Sequence, residues 1–334
     1  MIDTDRIYGS TEIDEPVLLD LIDSNAMQRL HGVLQHGISG LIGVTRATSR
    51  FEHSLGVFAL VRKLGGGLEE QIAALLHDVS HTAFSHVIDY VFGGYDRQDY
   101  HEVKKAEYIA ATDIPVILDA HGYDWCDLLC LEDQEMGHRF PLLEQPAPAL
   151  CADRLDYFLR DAFDLGLASL PEIEQFLDHL RVRQGRMVMD DQEAALWAGK
   201  TYMQADRASW ANLREVGLYE LAARAIRRGI QVGVLTVAEL WSTDRLSWEK
   251  LHASADQELQ AILKLVSPDT IIVLDQSQPT FRISTKLRTI DPDVLINGQV
   301  RTLSALDPEF ARLRTAYLEG NSGSWPIRVI ATTS

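Results

Sequence analysis

The chain has 334 residues, 46% of them hydrophobic, which is ample for one large core or two unequal domains. Its 31 Lys and Arg against 49 Asp and Glu leave a formal charge of −18, which argues against a general nucleic-acid binder and removes duplex nucleic acid from the expected partners, because such binding wants a basic surface that displaces counterions. The acidic start Met1-Ile2-Asp3-Thr4-Asp5-Arg6 is not a signal peptide, no apolar run approaches the ~20 residues of a membrane span, and the sparse set Cys126, Cys130 and Cys151 suits reduced thiols, so a cytoplasmic protein with no membrane partner is expected.

Residues 16 to 35 read as one helix, with Leu18, Leu19, Leu21, Ile22, Met27, Leu30 and Val33 supplying the apolar spacing, and residues 36 to 48 are glycine-spaced and loop-like. Ser49 followed three positions later by Glu52 is a capping box that opens the helix carrying His53. Phe51, Leu55, Phe58 and Val61 form the core stripe of that helix, and Gly65-Gly66-Gly67 ends it. The next helix runs to about Asp78 and is apolar nearly all round, as a central buried helix should be. A short turn leads to a helix from Ala83 to about Phe92, and Gly93-Gly94-Tyr95-Asp96 marks a surface loop. Helices are expected at 101–111, 113–121 and 125–131, and Pro146-Ala147-Pro148 starts the helix that carries Asp153. Arg181-Val182-Arg183 and Met187-Val188-Met189 flank Gln184-Gly185-Arg186 as a hairpin, before long helices at 191–213 and 217–240. From about 241 the texture changes: Ile271–Leu274 and Thr280–Ser284 look like strands, and Asn297-Gly298 signals a tight hairpin turn. The fold class is therefore mainly α, with a helical domain over 1–240 and a smaller mixed α/β region over 241–334.

The pair His77-Asp78, closing the apolar run Ile72-Ala73-Ala74-Leu75-Leu76, calls for a chemical reason. A carboxylate buried without a partner is costly, and a divalent cation removes that cost. Imidazole nitrogen with carboxylate oxygen suits borderline transition metals and leaves room for water and a substrate oxygen. His86 and Asp89, three apart, can hydrogen-bond, and His81 lies four residues beyond His77. Asp153, Tyr157 and Asp161 fall on one helix face, opposite Leu155, Phe158, Leu159 and Phe163.

Four segments appear in order: Ser49-Arg50-Phe51-Glu52-His53-Ser54-Leu55-Gly56-Val57; Leu75-Leu76-His77-Asp78-Val79-Ser80-His81-Thr82-Ala83-Phe84-Ser85-His86; Tyr100-His101-Glu102; and Ala152-Asp153-Arg154-Leu155-Asp156-Tyr157-Phe158-Leu159-Arg160-Asp161. Together, over about Ile7 to Leu167, they resemble the HD-domain phosphohydrolases, and most of all the dNTP triphosphohydrolase branch. The resemblance implies an HD-domain helical bundle that holds a divalent ion (Mn, Fe, Ni, Co, Zn or Mg) on His53, His77, Asp78 and Asp153. One ion per chain ranks ahead of two; in the two-ion form Asp78 bridges, and His81 and His101 hold the second. It also implies proton transfer around the phosphates by His81, His101, Glu102 and Asp89, with His86 oriented by Asp89. Arg50 and Arg154 are expected on phosphate oxygens, with Arg207 matching a further downstream arginine. Tyr157 is expected beside the sugar, and Asp161 and Gln35 on its 3′-hydroxyl. The family's tyrosine under the deoxyribose has no counterpart at the matching place, where Glu215 stands nearby, so a weaker preference for deoxyribose is expected. The expected function is metal-dependent hydrolysis of a nucleotide, first of all dNTP to deoxynucleoside plus tripolyphosphate. The alternatives are a phosphomonoesterase acting on a nucleotide or nucleotide-like metabolite, and a nucleotide-binding protein without turnover. The expected partners are a nucleotide or other phosphorylated small molecule and further copies of the chain, a dimer ahead of other homo-oligomers.

Overall fold

The computed structural model describes residues 1–94, 97–131 and 133–330, so Tyr95 and Asp96 of the expected surface loop lie outside the described residues. The chain opens with an antiparallel hairpin that the sequence reading did not anticipate, β1 (Ile2–Asp5) on β2 (Gly9–Glu12). The single helix expected over 16–35 is instead α1 (Pro16–Ile22), α2 (Asn25–Arg29) and a 3₁₀ turn at Leu30–Gly32. The break has a local cause: Ser24 is extended and its hydroxyl accepts from Met27 N, restarting the helix as an N-cap. The expected loop at 36–48 contains a short α3 (Ile38–Leu41).

α4 (Arg50–Lys63) starts at Ser49, whose hydroxyl accepts from Glu52 N. The Glu52 carboxylate accepts from Arg6 Nε at 2.8 Å and Arg160 Nη1 at 3.0 Å. α5 (Leu68–Leu76) ends one residue before His77, which is its C-cap. α6 (Val87–Phe92) begins later than the expected Ala83. Phe84 and Ser85 take left-handed φ values of 65° and 48°, which no helix accommodates. The backbone donors there are spent on distant acceptors, Ala83 N on Leu240 O and Phe84 N on Asp244 Oδ1, both at 2.7 Å.

α7 (Tyr100–Ala110), α8 (Ile114–Ala120) and α9 (Trp125–Leu129) fall where expected. α10 (Asp133–Arg139) and α12 (Leu170–Asp178) are additional, the latter opened by a capping box of Ser169 and Glu172. Between them α11 (Ala152–Asp164) starts a few residues beyond the proline punctuation. β3 (Leu180–Arg183) and β4 (Arg186–Met189) form the expected hairpin. α13 (Gln192–Ala208) follows, and α14 (Leu213–Gln231) is shifted toward the N-terminus relative to 217–240 because Asn212 caps it by accepting from Arg214 N.

The C-terminal stretch holds α15 (Asp244–His252), α16 (Gln257–Leu263), β5 (Ile271–Leu274), β6 (Phe281–Ile283), β7 (Asp293–Ile296), β8 (Gln299–Thr302), α17 (Leu303–Leu306), α18 (Pro308–Asn321) and β9 (Trp325–Ile330). Asn297 and Gly298 both have positive φ, 51° and 79°, as a two-residue hairpin turn between β7 and β8 requires. The sheets are β5-β9-β6 and β3-β4-β7-β8, and in the second β4 runs parallel to β7. Ile290, Val294, Leu303, Phe310 and Tyr317 are buried in the same apolar cluster as residues of α4, α5, α11 and α13. This packing lets the segment between β6 and β7, and α18, line one cavity together with the motif residues of 50–161. Among the described residues no helix is long and apolar enough to cross a membrane.

Candidate metal centre and cavity

Three helices converge on one point. His53 comes from the first turns of buried α4, His77 caps α5, Asp78 follows it, and Asp153 opens α11. His53 Nε2 lies 3.2 Å from His77 Nε2 and 3.1 Å from Asp153 Oδ1. Asp78 Oδ2 is 3.4 Å from His53 Nε2, and Asp78 Oδ1 is 3.6 Å from His77 Nε2. The other ring nitrogens are committed: His53 Nδ1 meets Asp156 Oδ2 at 2.7 Å, and His77 Nδ1 meets Ala74 O at 2.8 Å. Those acceptors place a proton on each Nδ1 and aim the Nε2 lone pairs at the same point. Two such lone pairs at 3.2 Å repel unless a proton or a cation lies between them. A divalent ion fits this donor set.

The electrostatics agree. Burial pulls the His53 imidazole down, but Asp153, Asp156 and Asp78 carry it up to about 10. Burial acts against the Asp153 and Asp78 carboxylates as well. Asp153 is nevertheless held far below the usual range by His53 and His77, and Asp78 by Arg50, His77 and His81. Arg50, buried, pairs with Asp78 Oδ2 through Nη1 and donates to Ser85 Oγ through Nε at 2.7 Å. Left-handed Ser85 is what turns that hydroxyl toward Arg50.

A second cluster adjoins the first. His81 does not share a helix with His77, yet the turn after α5 places His81 Nε2 3.3 Å from Asp78 Oδ1. The His81 ring stacks on His101 with centroids 3.6 Å apart, and Asp78, His81 and His101 form a second group with metal-ligating geometry. Among the described residues His101 Nδ1 is buried without a hydrogen-bond partner, and its Nε2 lies 3.2 Å from Glu102 Oε1. Burial, with Arg50 and His101 beside it, holds His81 well below the ordinary imidazole range. Burial also lowers His86 to about 4 although Asp89 Oδ2 stands 3.0 Å from its Nδ1. Both rings are therefore neutral near pH 7 and able to accept a proton. Burial acts against the Glu102 carboxylate, but Lys105 and His101 bring it down to about 2.

Both clusters open onto a cavity of about 810 Å³. Gln35, Arg154, Tyr157 and Asp161 line it as expected, but their partners were not foreseen. Asp161 accepts from Trp210 Nε1 at 2.6 Å and meets His36 Nε2 at 2.8 Å. Burial opposes the His36 charge, yet Asp161 raises it to about 9. Tyr157 OH bonds Tyr202 OH at 2.6 Å and its ring abuts Trp210 edge-on. Among the described residues Gln35 Oε1 is buried without a hydrogen-bond partner. Arg154 is tied to main-chain carbonyls, with Nη1 at 2.6 Å from Ala149 O and 3.3 Å from Gln145 O. Arg207 does not line the cavity: it is exposed on the last turn of α13 and lies over the Tyr317 ring. The guanidinium found there instead is Arg288. Sequence reasoning also missed Glu144, which burial and then Asp153 push up to about 7. Nothing in local spacing marks His36, Trp210, Glu144 or Arg288, since each meets the site only through long-range packing.

Comparison with known proteins follows the same residues. A family model described as HD domain matches residues 50–161. The chain is similar to an uncharacterized protein YdhJ of Bacillus subtilis, 41% identical over 96% of this chain and 97% of the relative. It is similar to the metal-dependent phosphohydrolase cns2 of Cordyceps militaris, 36% identical over 94% of this chain and 91% of that one. More distantly, it is similar to the deoxynucleoside triphosphate triphosphohydrolase SAMHD1 of Danio rerio, 27% identical over 53% of this chain and 36% of that protein.

Proposed function

This chain belongs to the HD-domain metal-dependent phosphohydrolases, and we propose that within that family it hydrolyses nucleoside triphosphates at the α-phosphorus. One observation carries the reading. In a protein of net charge −18 the lining of the cavity balances its seven Asp and Glu with seven Arg and Lys, and among the described residues three of these cations, Lys286, Arg288 and Arg314, have no carboxylate within salt-bridge distance. Those unpaired cations suit a substrate with several negative charges. The triphosphohydrolase name of the Danio rerio relative supports the same substrate class.

His53, His77, Asp78 and Asp153 are the proposed ligands. A divalent ion on them supplies polarisation of a phosphoryl oxygen and acidification of water. Neutral His81, 3.6 Å in ring-centroid distance from His101, is the proposed proton acceptor, with Glu102 orienting His101. Water adds to the α-phosphorus, the bond to O5′ breaks, the water oxygen stays on the tripolyphosphate and a proton passes to O5′. Tyr157 and Trp210 form the proposed wall for the nucleoside.

A second reading, removal of one phosphate from a nucleotide or similar metabolite, is favoured by the commitment of Arg154 to backbone carbonyls and by the outward position of Arg207. Chromatography of products from metal-replete enzyme and a panel of dNTPs, NTPs and monophosphates separates the two. Nucleoside plus intact tripolyphosphate is expected. Inorganic phosphate as the sole phosphorus product, with nucleoside only from monophosphates, would overturn the first reading and establish the second.

A further inference from the structure

The cations of this cavity differ in how they are paired. Arg50 is neutralised by Asp78, and Lys105 lies 3.2 Å from Glu102. On the wall supplied by the C-terminal stretch, Lys286 and Arg288 come from the segment between β6 and β7, and Arg314 from α18. Among the described residues, no carboxylate lies within salt-bridge distance of these three side chains. Their hydrogen bonds go to uncharged acceptors. Arg288 Nη1 donates to Lys286 O at 3.2 Å and Nη2 to Gln98 Oε1; Arg314 Nε donates to Thr289 Oγ1 at 3.0 Å; Lys286 Nζ reaches Arg97 O at 3.5 Å.

Arginines elsewhere on this acidic molecule find carboxylates readily, as Arg224 does on Glu220 and Arg228 on Asp256, both at 2.7 Å. Keeping cations together and unpaired inside a cavity is unfavourable unless an anion completes them. The Lys286 side chain is exposed overall, yet its ammonium is lowered by desolvation and then by Arg288 and Arg154, against the raising influence of Glu144 and Asp153. Arg154 in turn directly follows the proposed ligand Asp153, which ties this wall to the metal centre. Arg288 also lies within electrostatic reach of the Tyr157 and Tyr202 phenols, so the cationic wall borders the proposed nucleoside wall.

We propose that Lys286, Arg288 and Arg314 form a polyphosphate subsite that takes the substrate phosphates lying beyond the one at the metal centre. This rests on the reading of the substrate as a nucleoside polyphosphate. It lies outside the 50–161 segment matched by the family model, so it assigns substrate selection to the C-terminal stretch. Guanidinium and ammonium donors hold phosphate oxygens by charge-assisted hydrogen bonds, and a chain of phosphates satisfies more of them than one phosphate can.

The test is calorimetric titration of the metal-loaded full-length protein with inorganic tripolyphosphate and, separately, with orthophosphate. Wild type is expected to bind tripolyphosphate the more tightly. Arg288→Gln and Lys286→Gln are each expected to weaken tripolyphosphate by about 10-fold or more, the usual scale for a charge-assisted hydrogen bond, and orthophosphate by less. Lys286 is exposed, so its variant tests the subsite even if the half-buried Arg288 variant folds poorly. Arg288→Lys, which keeps the charge, is expected to recover part of the loss. Equal wild-type affinity for the two anions, or equal losses for both in the Lys286 variant, would overturn the subsite. A wild type that cleaves no triphosphate yet binds tripolyphosphate through Lys286 would sink the proposed reaction while supporting the subsite.

Discussion

The two sides of the cavity are built on opposite electrostatic plans. On the side of α4, α5 and α11 the central charged groups are matched: His53 by Asp156 and Asp153, Asp78 by Arg50, Asp156 by Arg160 at 2.8 Å. That matching extends outward, since fully buried Arg160 also reaches Asp5 of β1 at 2.6 Å. A glycine makes room for it: a Cβ on Gly56 would lie 2.0 Å from Arg160 Nη2 and 2.1 Å from Asp156 Oδ1. On the far wall, Lys286, Arg288 and Arg314 lean on neutral oxygens. A matched network holds geometry, whereas an unmatched one holds binding capacity. Under the proposed function and subsite, bond cleavage falls to the first side and substrate selection to the second.

The strongest way to break that division is at the ligands. Asp78→Asn keeps shape and removes charge, and His77→Ala removes a nitrogen. Both are expected to lose bound metal, measured by elemental analysis, and to reduce turnover to background; full metal occupancy in Asp78→Asn would end the assignment.

Next in size is the second cluster. His81→Ala and His101→Ala are expected to keep the ion on His53 and His77 and to lose about 100-fold in rate, the scale of a positioned acid or base. Loss of half the metal instead would mean that Asp78, His81 and His101 hold a second ion. Near-normal rates in both would reduce these histidines to structural groups.

The matched network is tested one step out from the ligands. Asp156→Asn should lower metal affinity by about 10- to 100-fold through its effect on His53, the range seen when a ligand loses its orienting carboxylate. Competition with a chelator measures this, and an unchanged affinity would show that Asp156 serves packing alone.

The smallest effect sharpens the comparison within the nucleoside end. His36 is charged up to about pH 9 because of Asp161, above its ordinary value of 6.5. A group raised on folding stabilises fully below its unfolded value and stops doing so as pH rises through the folded one. His36→Gln should therefore be destabilised relative to wild type by on the order of 2–3 kcal/mol at pH 6. The gap should narrow between about pH 6.5 and 9. Chemical denaturation across that range checks it, and a pH-independent gap would mean that the His36–Asp161 pair carries no charge.

Much of the centre was legible because the relevant rules are local. His53 sits inside a capped helix, His77 and Asp78 end an apolar one, and Asp153, Tyr157 and Asp161 share a face of α11; the structure brings these groups around one cavity. The misreadings share a different origin. Residues 83–86 read as helix from their apolar spacing, but Leu240 and Asp244 draw off the backbone donors of Ala83 and Phe84. Arg207 was expected at the phosphates and lies outside the cavity lining, whereas Asp161, expected on a sugar hydroxyl, does line the cavity and has the unforeseen partners His36 and Trp210.

Periodicity, caps, turn residues and the motifs from Ser49 to Asp161 were determined by the amino-acid order itself, because helix and turn energetics act over a few neighbouring residues. The tertiary structure alone decided that Asp161 is shared between His36 and Trp210 and that Arg288 stands at the cavity wall. Those contacts join residues far apart in the chain, and their strength depends on the desolvation and charge that exist only once the helices and the C-terminal stretch have packed together.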